Sequence, residues 1–169
     1  LEGAGARQHA SSLGAILAAG VAPRYNLPAF VVAPVVVDEM GPVAKLSGIP
    51  GIERRSVFHA LNTKAVARAA AKTLGIPYED GRFVVAHMGG GISVGAHRYG
   101  RVIDVNDALN GEGPYSPERC GSVPVRAVIE MRFSGQYSRD EVLSMAHRLG
   151  GMVAYLGTTD LQKGEKAIR

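Results

Sequence analysis

Cysteine is nearly absent from this sequence, because the 169 residues contain only Cys120. One cysteine can form neither a disulfide framework within the chain nor a cysteine-based metal site, so a reducing cytoplasm is the expected compartment. Long hydrophobic runs are also lacking, as is a basic stretch followed by a hydrophobic block at the start. We therefore expect a soluble chain that is not exported and has no membrane partner.

Clustered positive charge is a further feature that the sequence lacks. The formal net charge is +4, but lysine and arginine are scattered, and no basic stripe interleaved with aromatic residues appears. Nucleic-acid-binding domains concentrate such charge on one face. A mild positive balance suits an anionic small molecule, such as a nucleotide or an acyl phosphate, at least as well. We therefore expect no nucleic-acid partner.

Glycine and proline, in contrast, are abundant, with 22 and nine residues respectively. They fall between apolar runs, a distribution typical of a strand-rich or mixed fold rather than of a helical bundle. The length is sufficient for a substantial hydrophobic core. The sequence therefore predicts a protein of the α/β class.

Two helices and one strand are expected in the first half of the chain. The spacing of apolar residues predicts a helix from His9 to Ala22, which Pro23 ends. The apolar run Phe30–Val32 is typical of a buried strand. Ser56 is the expected N-cap of a second helix, which extends to about Leu74.

An antiparallel β-meander, a long loop and two further helices are expected in the second half. The predicted strands are short and separated by turns, and they are Arg82–His87, Ile92–His97 and Val102–Val105. The segment Asp107–Gly121 has no periodicity and is expected to be a loop that functions or docks. Helices are predicted at Val123–Phe133 and Arg139–Leu149. Ser138 is the expected N-cap of the last helix, with Glu141 completing a capping box.

A triple glycine, Gly89–Gly91, connects the first two predicted strands. Because glycine has no side chain, backbone N–H groups in such a turn can approach an anion closely. Ser93 follows with a hydroxyl for a phosphate oxygen, and His87 precedes with a further donor. The alternatives are a plain tight turn and a histidine that is satisfied within the core. We interpret the segment as a phosphate-binding hairpin.

Three more polar residues are candidates for chemistry. Arg119 can present a planar fork of donors to a transferring phosphoryl group, or it can pair structurally with Glu118 or Glu112. His59 begins a polar strip on an otherwise apolar helix, a pattern found more often at a surface or a cap. His9 opens the first predicted helix, where a solvated residue is the simpler interpretation. Spacing alone does not choose between these alternatives.

Six stretches together resemble the butyrate kinase branch of the acetate kinase family, from about His9 to Thr159. The matches are HASSLG at His9, PVVVDEM at Pro34, IERRSVFHALNTKAVAR at Ile52, VAHMGGGISVGAH at Val85, RVIDVNDALNGEGPYSPERCG at Arg101 and GGMVAYLGT at Gly150. Matches of this length and density are more specific than any single motif. The resemblance covers almost the whole chain, but only the central part of the longer family members.

The resemblance implies both a fold and a reaction. The implied fold is the actin-like (ribonuclease H-like) fold shared by acetate and sugar kinases and heat-shock chaperones. The chain would be a kinase domain fragment with an antiparallel β-meander and flanking helices. The implied reaction transfers the γ-phosphoryl group of ATP, with Mg²⁺, to a short-chain carboxylate such as butyrate, and it yields ADP and an acyl phosphate.

Site roles are implied by the same resemblance, position by position. Arg119 and His59 would stabilise the transferred phosphoryl group, and His9 would line the acyl site. No metal-ligating residue carries over. The residues that would contact the phosphate chain of the nucleotide are His87, Gly89, Gly90, Gly91 and Ser93.

Two departures from the family pattern bear on activity and assembly. Butyrate kinases usually have an aspartate, used near Mg²⁺ and the reacting carboxylate, where this chain has Ala33, which cannot hold a cation. An alternative hypothesis is therefore a catalytically inactive phosphate- or nucleotide-binding or assembly module. We expect residues 1–32 to be a remnant of the first kinase domain and residues 33–169 to begin the second. Apolar faces that further segments would cover predict self-association as a homo-oligomer.

Overall fold

A three-stranded antiparallel sheet is the centre of the fold. The structure, a computed structural model, describes residues 13–168. Strands β1 (Arg82–Met88), β2 (Ile92–Arg98) and β3 (Arg101–Val105) lie side by side in chain order. The predicted β-meander is confirmed, and each strand is one residue longer than expected because hydrogen-bonded pairing continues into the turns.

The register of the first hairpin sets the geometry of the glycine turn. His87 lies opposite Ser93, and Met88 lies opposite Ile92, so the three glycines alone connect β1 to β2. The Gly89 N–H donates to the Gly91 carbonyl across 3.1 Å, which closes the turn tightly. The strand pairing therefore brings the side chains of His87 and Ser93 next to the turn.

Six α-helices are present in the part of the chain that the structure describes, and the second of them packs against β1. The third and fourth start and end within two residues of the expected bounds, and the predicted capping box between Ser138 and Glu141 is present. The beginning of the first predicted helix, at His9, lies outside the described residues. The helices are α1 (Leu13–Val21), α2 (Ala60–Thr73), α3 (Val125–Phe133), α4 (Arg139–His147), α5 (Met152–Leu156) and α6 (Leu161–Ile168).

Two small apolar cores hold α2 and the preceding segment against the sheet. In one core, small side chains of α2 pack with Tyr78 and with the inward-facing residues of β1. In the other, Phe58 packs with Met40 and with Val102 and Val105 of β3, and Ala33 packs against this cluster. Because Phe58 directly precedes His59, burial of its ring fixes the start of α2 beside the hairpin.

The expected N-cap at Ser56 is wrong, because α2 begins four residues later. Ser56 is buried, and its hydroxyl donates to the Val37 carbonyl across 2.7 Å. His59 occupies the N-cap position, and the first helical residue is Ala60. Ser56 therefore connects the segment before α2 to the loop that contains Val37, because a buried hydroxyl needs an acceptor within the fold.

The expected buried strand at Phe30–Val32 is also wrong. These residues form no strand, and Phe30 is 81% exposed. An apolar run becomes a buried strand only where a neighbouring element covers it. In the described part of the chain these side chains remain largely exposed to solvent.

The side chain of His97 lies beside Tyr78 on the buried face of the sheet. The side chain is 2% exposed, its Nδ1 lies 2.8 Å from the Tyr78 hydroxyl, and its Nε2 is buried with no hydrogen-bond partner. Burial lowers the pKa of His97 below its ordinary value, and the positive charges of Lys64 and Arg68 lower this pKa further, against the opposing charge of Glu39. Folding therefore keeps this imidazole neutral.

The unfolding free energy is expected to fall as pH decreases from about 8 to about 5. The unfolded chain takes up a proton on His97 near an ordinary pKa of about 6.5, whereas the folded chain resists that proton. Acidification through this window therefore favours the unfolded state. Urea denaturation at a series of pH values measures the slope, and His97→Gln is expected to reduce it. Equal slopes in both proteins would contradict the assignment.

Candidate active site

Two histidines stack beside the glycine turn. The rings of His59, at the start of α2, and His87, near the end of β1, have centroids 3.8 Å apart and planes inclined by 11°. The start of α2 and the end of β1 are each fixed by the packing described above. Two imidazoles thus lie together next to a turn that can accept an anion.

Each of these rings is held through its Nδ1 atom. Ser93 Oγ lies 2.7 Å from His59 Nδ1, and this oxygen also accepts the His59 backbone N–H across 3.2 Å. Asn62 Nδ2 lies 2.7 Å from His87 Nδ1. His59 and Asn62 share one side of the helix start because residues three apart in a helix are neighbours. Hydrogen bonds from the protein therefore fix the orientation of both rings.

Arg119 approaches the glycine turn from the loop between β3 and α3. A Cβ atom at Gly91 would lie 1.8 Å from Arg119 Nη1 and 3.5 Å from His59 Cε1. Glycine is therefore required at position 91 for the guanidinium to reach its place beside the histidines. Gly91 has no positive φ, so glycine is needed there to leave room for Arg119 and not to allow an unusual backbone angle.

The alternative in which Arg119 pairs with Glu112 or Glu118 is not found among residues 13–168. Glu112 instead accepts from the Arg54 guanidinium, and its second carboxylate oxygen accepts the Asp107 N–H. Arg119 Nε is buried with no hydrogen-bond partner. A buried guanidinium N–H without an acceptor is costly, so Arg119 keeps an unsatisfied donor at this position.

Two residues that the sequence analysis missed attach the long loop to the turn. Ser116, 2% exposed, donates its hydroxyl to the Gly90 carbonyl across 2.7 Å. Asn106 accepts from the Val94 N–H and donates to the carbonyls of Ile92 and Glu112. Asn106 directly follows β3, and this position in the sequence could have indicated its role in holding the loop. The loop that carries Arg119 is therefore anchored on both sides.

A small cavity of about 80 Å³ lies between the apolar core and the cationic side chains. Its wall is aliphatic or aromatic except for two basic side chains, Arg119 and His59. Such a cavity can hold a short aliphatic chain and place an acidic group against the guanidinium. The apolar lining residues are Val35, Val57, Phe58, Ala108 and Leu109.

A larger and more polar cleft of about 460 Å³ borders the same turn. Its lining includes Gly89, Gly90 and Glu118, together with the residues at the start of α6. Glu118, which lines this cleft, directly precedes Arg119, which lines the small apolar cavity. The loop with Glu118 and Arg119 thus contributes to two spaces, a small apolar one and a larger, more polar one.

The structure brings together almost all of the residues predicted from sequence. His59, His87, the three glycines, Ser93 and Arg119 form one site, and His9 lies outside the described residues. Within residues 13–168, no group of three or more metal-ligating side chains could hold an ion, and Ala33 adds no oxygen. Mg²⁺ is usually held by one or two carboxylates together with substrate phosphates, and Ala33 supplies no carboxylate at its position. No described helix is long and apolar enough to cross a membrane.

Three solved structures with a similar fold are named as acetate or propionate kinases. The acetate kinase of Porphyromonas gingivalis and a propionate kinase of Francisella tularensis each match with a TM-score of 0.67 and 22% identity, over 77% of this chain. The acetate kinase of Entamoeba histolytica matches with a TM-score of 0.62 and 19% identity, over 73% of this chain. The chain spans about a third of each of these proteins, at 35%, 35% and 33%. The chain therefore shares the α/β fold of these acetate and propionate kinases.

The family assignment follows from the sequence itself. The sequence model of the acetokinase family matches residues 45–169, which include α2, the whole sheet and the loop with Arg119. The chain therefore belongs to the acetokinase family. The neighbouring structures act on acetate or propionate by their names, so the butyrate kinase branch stays a prediction.

Proposed function

We propose that this chain carries the phosphoryl-transfer site of a carboxylate kinase, which uses ATP to convert a short-chain carboxylate, butyrate, into an acyl phosphate. A carboxylate oxygen attacks the γ-phosphorus of ATP, the bond from that phosphorus to the bridging oxygen of ADP breaks, and ADP leaves with the electron pair. No proton is transferred in this step, because the attacking carboxylate is already ionised.

The observation that carries the proposal is the position of Arg119, which lines the apolar cavity and lies beside the glycine turn that borders the larger cleft. The apolar cavity is small, and its only basic side chains are Arg119 and His59. A carboxylate in that cavity would point its oxygens towards the glycine turn, where the phosphate chain would lie. The attacking and transferred groups would then meet at the guanidinium, and such positioning accounts for much of phosphoryl-transfer catalysis.

Each basic side chain has a distinct role in this proposal. Arg119 donates hydrogen bonds to the oxygens of the transferring phosphoryl group and stabilises their negative charge in the transition state. His59 adds a second contact to that group, and His87 binds a phosphate oxygen of the nucleotide. Backbone N–H groups of Gly90 and Gly91 complete the proposed phosphate site, while Gly89 closes the turn through its N–H and Ser93 holds the His59 ring. His9 is proposed to line the acyl site, as the family resemblance implies.

A catalytically inactive binding module is the second candidate, and Ala33 favours it. The resemblance implies a carboxylate at this position, and Ala33 does not supply one. The phosphate site is compatible with both candidates. Hydroxylamine trapping of acyl phosphate formed from ATP and butyrate separates them, because only the kinase yields a hydroxamate.

Assembly and organisation remain proposals that rest on the family. We place residues 33–169 in the second kinase domain and residues 1–32 at the end of the first. Phe133 and Tyr155 are more than four-fifths exposed, at 81% and 87%, which supports a homo-oligomer. A cytoplasmic location fits small-molecule substrates and the single cysteine.

Gly91→Ala is expected to lower kcat about a hundredfold while leaving the fold intact. The added methyl group would occupy the position of Arg119 Nη1, and the flexible end of that side chain must move away. Displacement of a catalytic group by about 1 Å can cost this much in rate. The hydroxamate assay measures the rate, and thermal melting measures the fold.

Gly41→Ala is the matched control for this variant. Gly41 has no atom within 4 Å of an added Cβ and no positive φ, so alanine is accommodated there. Both variants are expected to melt close to the unmodified protein, and only Gly91→Ala loses turnover. Full turnover in Gly91→Ala would show that the position of Arg119 beside the turn does not matter.

A further inference from the structure

We propose that Asn62 is a positioning residue that fixes the tautomer of His87, so that the ring presents an Nε2–H donor to the glycine turn. The proposal deepens the function proposed above and rests on it for the identity of the phosphate ligand. It adds a residue of α2 to the site by way of a hydrogen bond rather than by contact with a substrate.

The contact between the two side chains determines the direction of the hydrogen bond. Asn62 Nδ2 lies 2.7 Å from His87 Nδ1. An amide nitrogen carries two hydrogens and has no lone pair to offer, so it can only donate. His87 Nδ1 must therefore accept, and in a neutral imidazole the single ring hydrogen is then on Nε2.

The location of Nε2 gives this tautomer a consequence for ligand binding. A Cβ atom at Gly89 would lie 3.2 Å from His87 Nε2, so this nitrogen is next to the turn where a phosphate oxygen is proposed to bind. Phosphate oxygens accept hydrogen bonds, and a ring nitrogen without hydrogen would repel them by its lone pair. The Nε2–H form is thus the one that suits an anion.

The ring of His59, which stacks on His87, is also hydrogen-bonded through its Nδ1 atom, and this supports the inference independently. Ser93 Oγ accepts the His59 backbone N–H and lies 2.7 Å from His59 Nδ1. Its own hydroxyl hydrogen can therefore be donated to Nδ1, which leaves the hydrogen of His59 on Nε2. The two rings stack at 3.8 Å and are both held through their Nδ1 atoms.

The two hydrogen-bond partners of the histidine rings, Asn62 and Ser93, differ in their exposure to solvent. Asn62 is exposed on α2, whereas Ser93 is fully buried. Substitutions of Asn62 are therefore expected to preserve folding, and they test the proposal more cleanly than substitutions of Ser93. Leu61 is exposed in the same helical turn and provides a control for changes in the helix itself.

Nitrogen-15 NMR of the purified protein without nucleotide tests the inference directly, because the shifts of the two ring nitrogens report which one carries hydrogen. At a pH above the ordinary imidazole range, His87 of the unmodified protein is expected to show a bare Nδ1 and a protonated Nε2. Asn62→Asp replaces the donor by an acceptor-only carboxylate and is expected to move the hydrogen to Nδ1. Leu61→Ala is expected to leave the pattern of the unmodified protein.

Two results would overturn the inference. One is a protonated Nδ1 on His87 in the unmodified protein, and the other is an Asn62→Asp spectrum that is the same as the spectrum of the unmodified protein. Neither measurement needs turnover, so the outcome is distinguishable from failure of the proposed function. The expected spectra without any acyl phosphate formation would contradict the kinase proposal and leave the role of Asn62 standing.

Discussion

Arg119→Lys is expected to lower kcat for acyl-phosphate formation by about two to three orders of magnitude, the loss typical of removing one transition-state donor. Lysine keeps the positive charge but loses the planar fork that contacts two oxygens at once. The guanidinium of Arg119 reaches the glycine turn with an Nη atom, and its Nε is buried without a partner. A single ammonium group cannot reproduce both positions.

Arg126→Lys is the matched control for this experiment. Arg126 pairs with Glu130 on the surface of α3, and its side chain is 89% exposed, so the same replacement there is expected to leave turnover and stability unchanged. Steady-state kinetics with the hydroxamate assay measure both variants. An Arg119→Lys protein with the kcat of the unmodified chain would assign Arg119 to structure rather than to phosphoryl transfer.

Ala33→Asp is expected to raise kcat by about a hundredfold or more, a magnitude typical of electrostatic contributions in active sites. It adds the carboxylate that the family resemblance places near Mg²⁺ and the reacting carboxylate. Ala33 packs against the cluster that contains Phe58, the residue before His59, so the new group would lie close to the site. The rate of hydroxamate formation with and without the substitution measures the effect.

Backbone conformation at position 33 provides a control for that substitution. Ala33 has a φ of 41°, in the left-handed region that aspartate and asparagine adopt several times more readily than alanine. Asparagine therefore relieves the same strain without adding charge. We expect Ala33→Asn to be stable and no faster than the unmodified chain. An equal gain in both variants would show that conformation, not the carboxylate, limits the rate.

The hairpin and the residues beside its turn could be predicted from sequence because their signals are local. The triple glycine lies between two runs of alternating residues, and the pairing of His87 with Ser93 follows from the turn length. The resemblance then identified Arg119 and His59, which lie far apart in the chain. Stacking of His59 on His87 at 3.8 Å needed the structure, since it depends on how α2 packs against β1.

Other predictions failed where tertiary packing decides the outcome. Ser56 has the properties of an N-cap, but a buried hydrogen bond to Val37 uses its hydroxyl and the helix starts later. The apolar run at Phe30 has strand propensity, but propensity is weaker than the presence or absence of a covering element. Glu112 was a candidate partner for Arg119, and only the structure shows that Glu112 forms its ion pair with Arg54.

Formation of an acyl phosphate tests the central claim most directly. The protein is incubated with ATP, Mg²⁺, butyrate and hydroxylamine, and the hydroxamate is measured, with acetate and propionate compared in parallel. We predict hydroxamate that depends on both ATP and the carboxylate, with a higher rate in the Ala33→Asp protein. Absence of hydroxamate from every carboxylate, in the unmodified and the Ala33→Asp proteins alike, would contradict the assignment of a phosphoryl-transfer site.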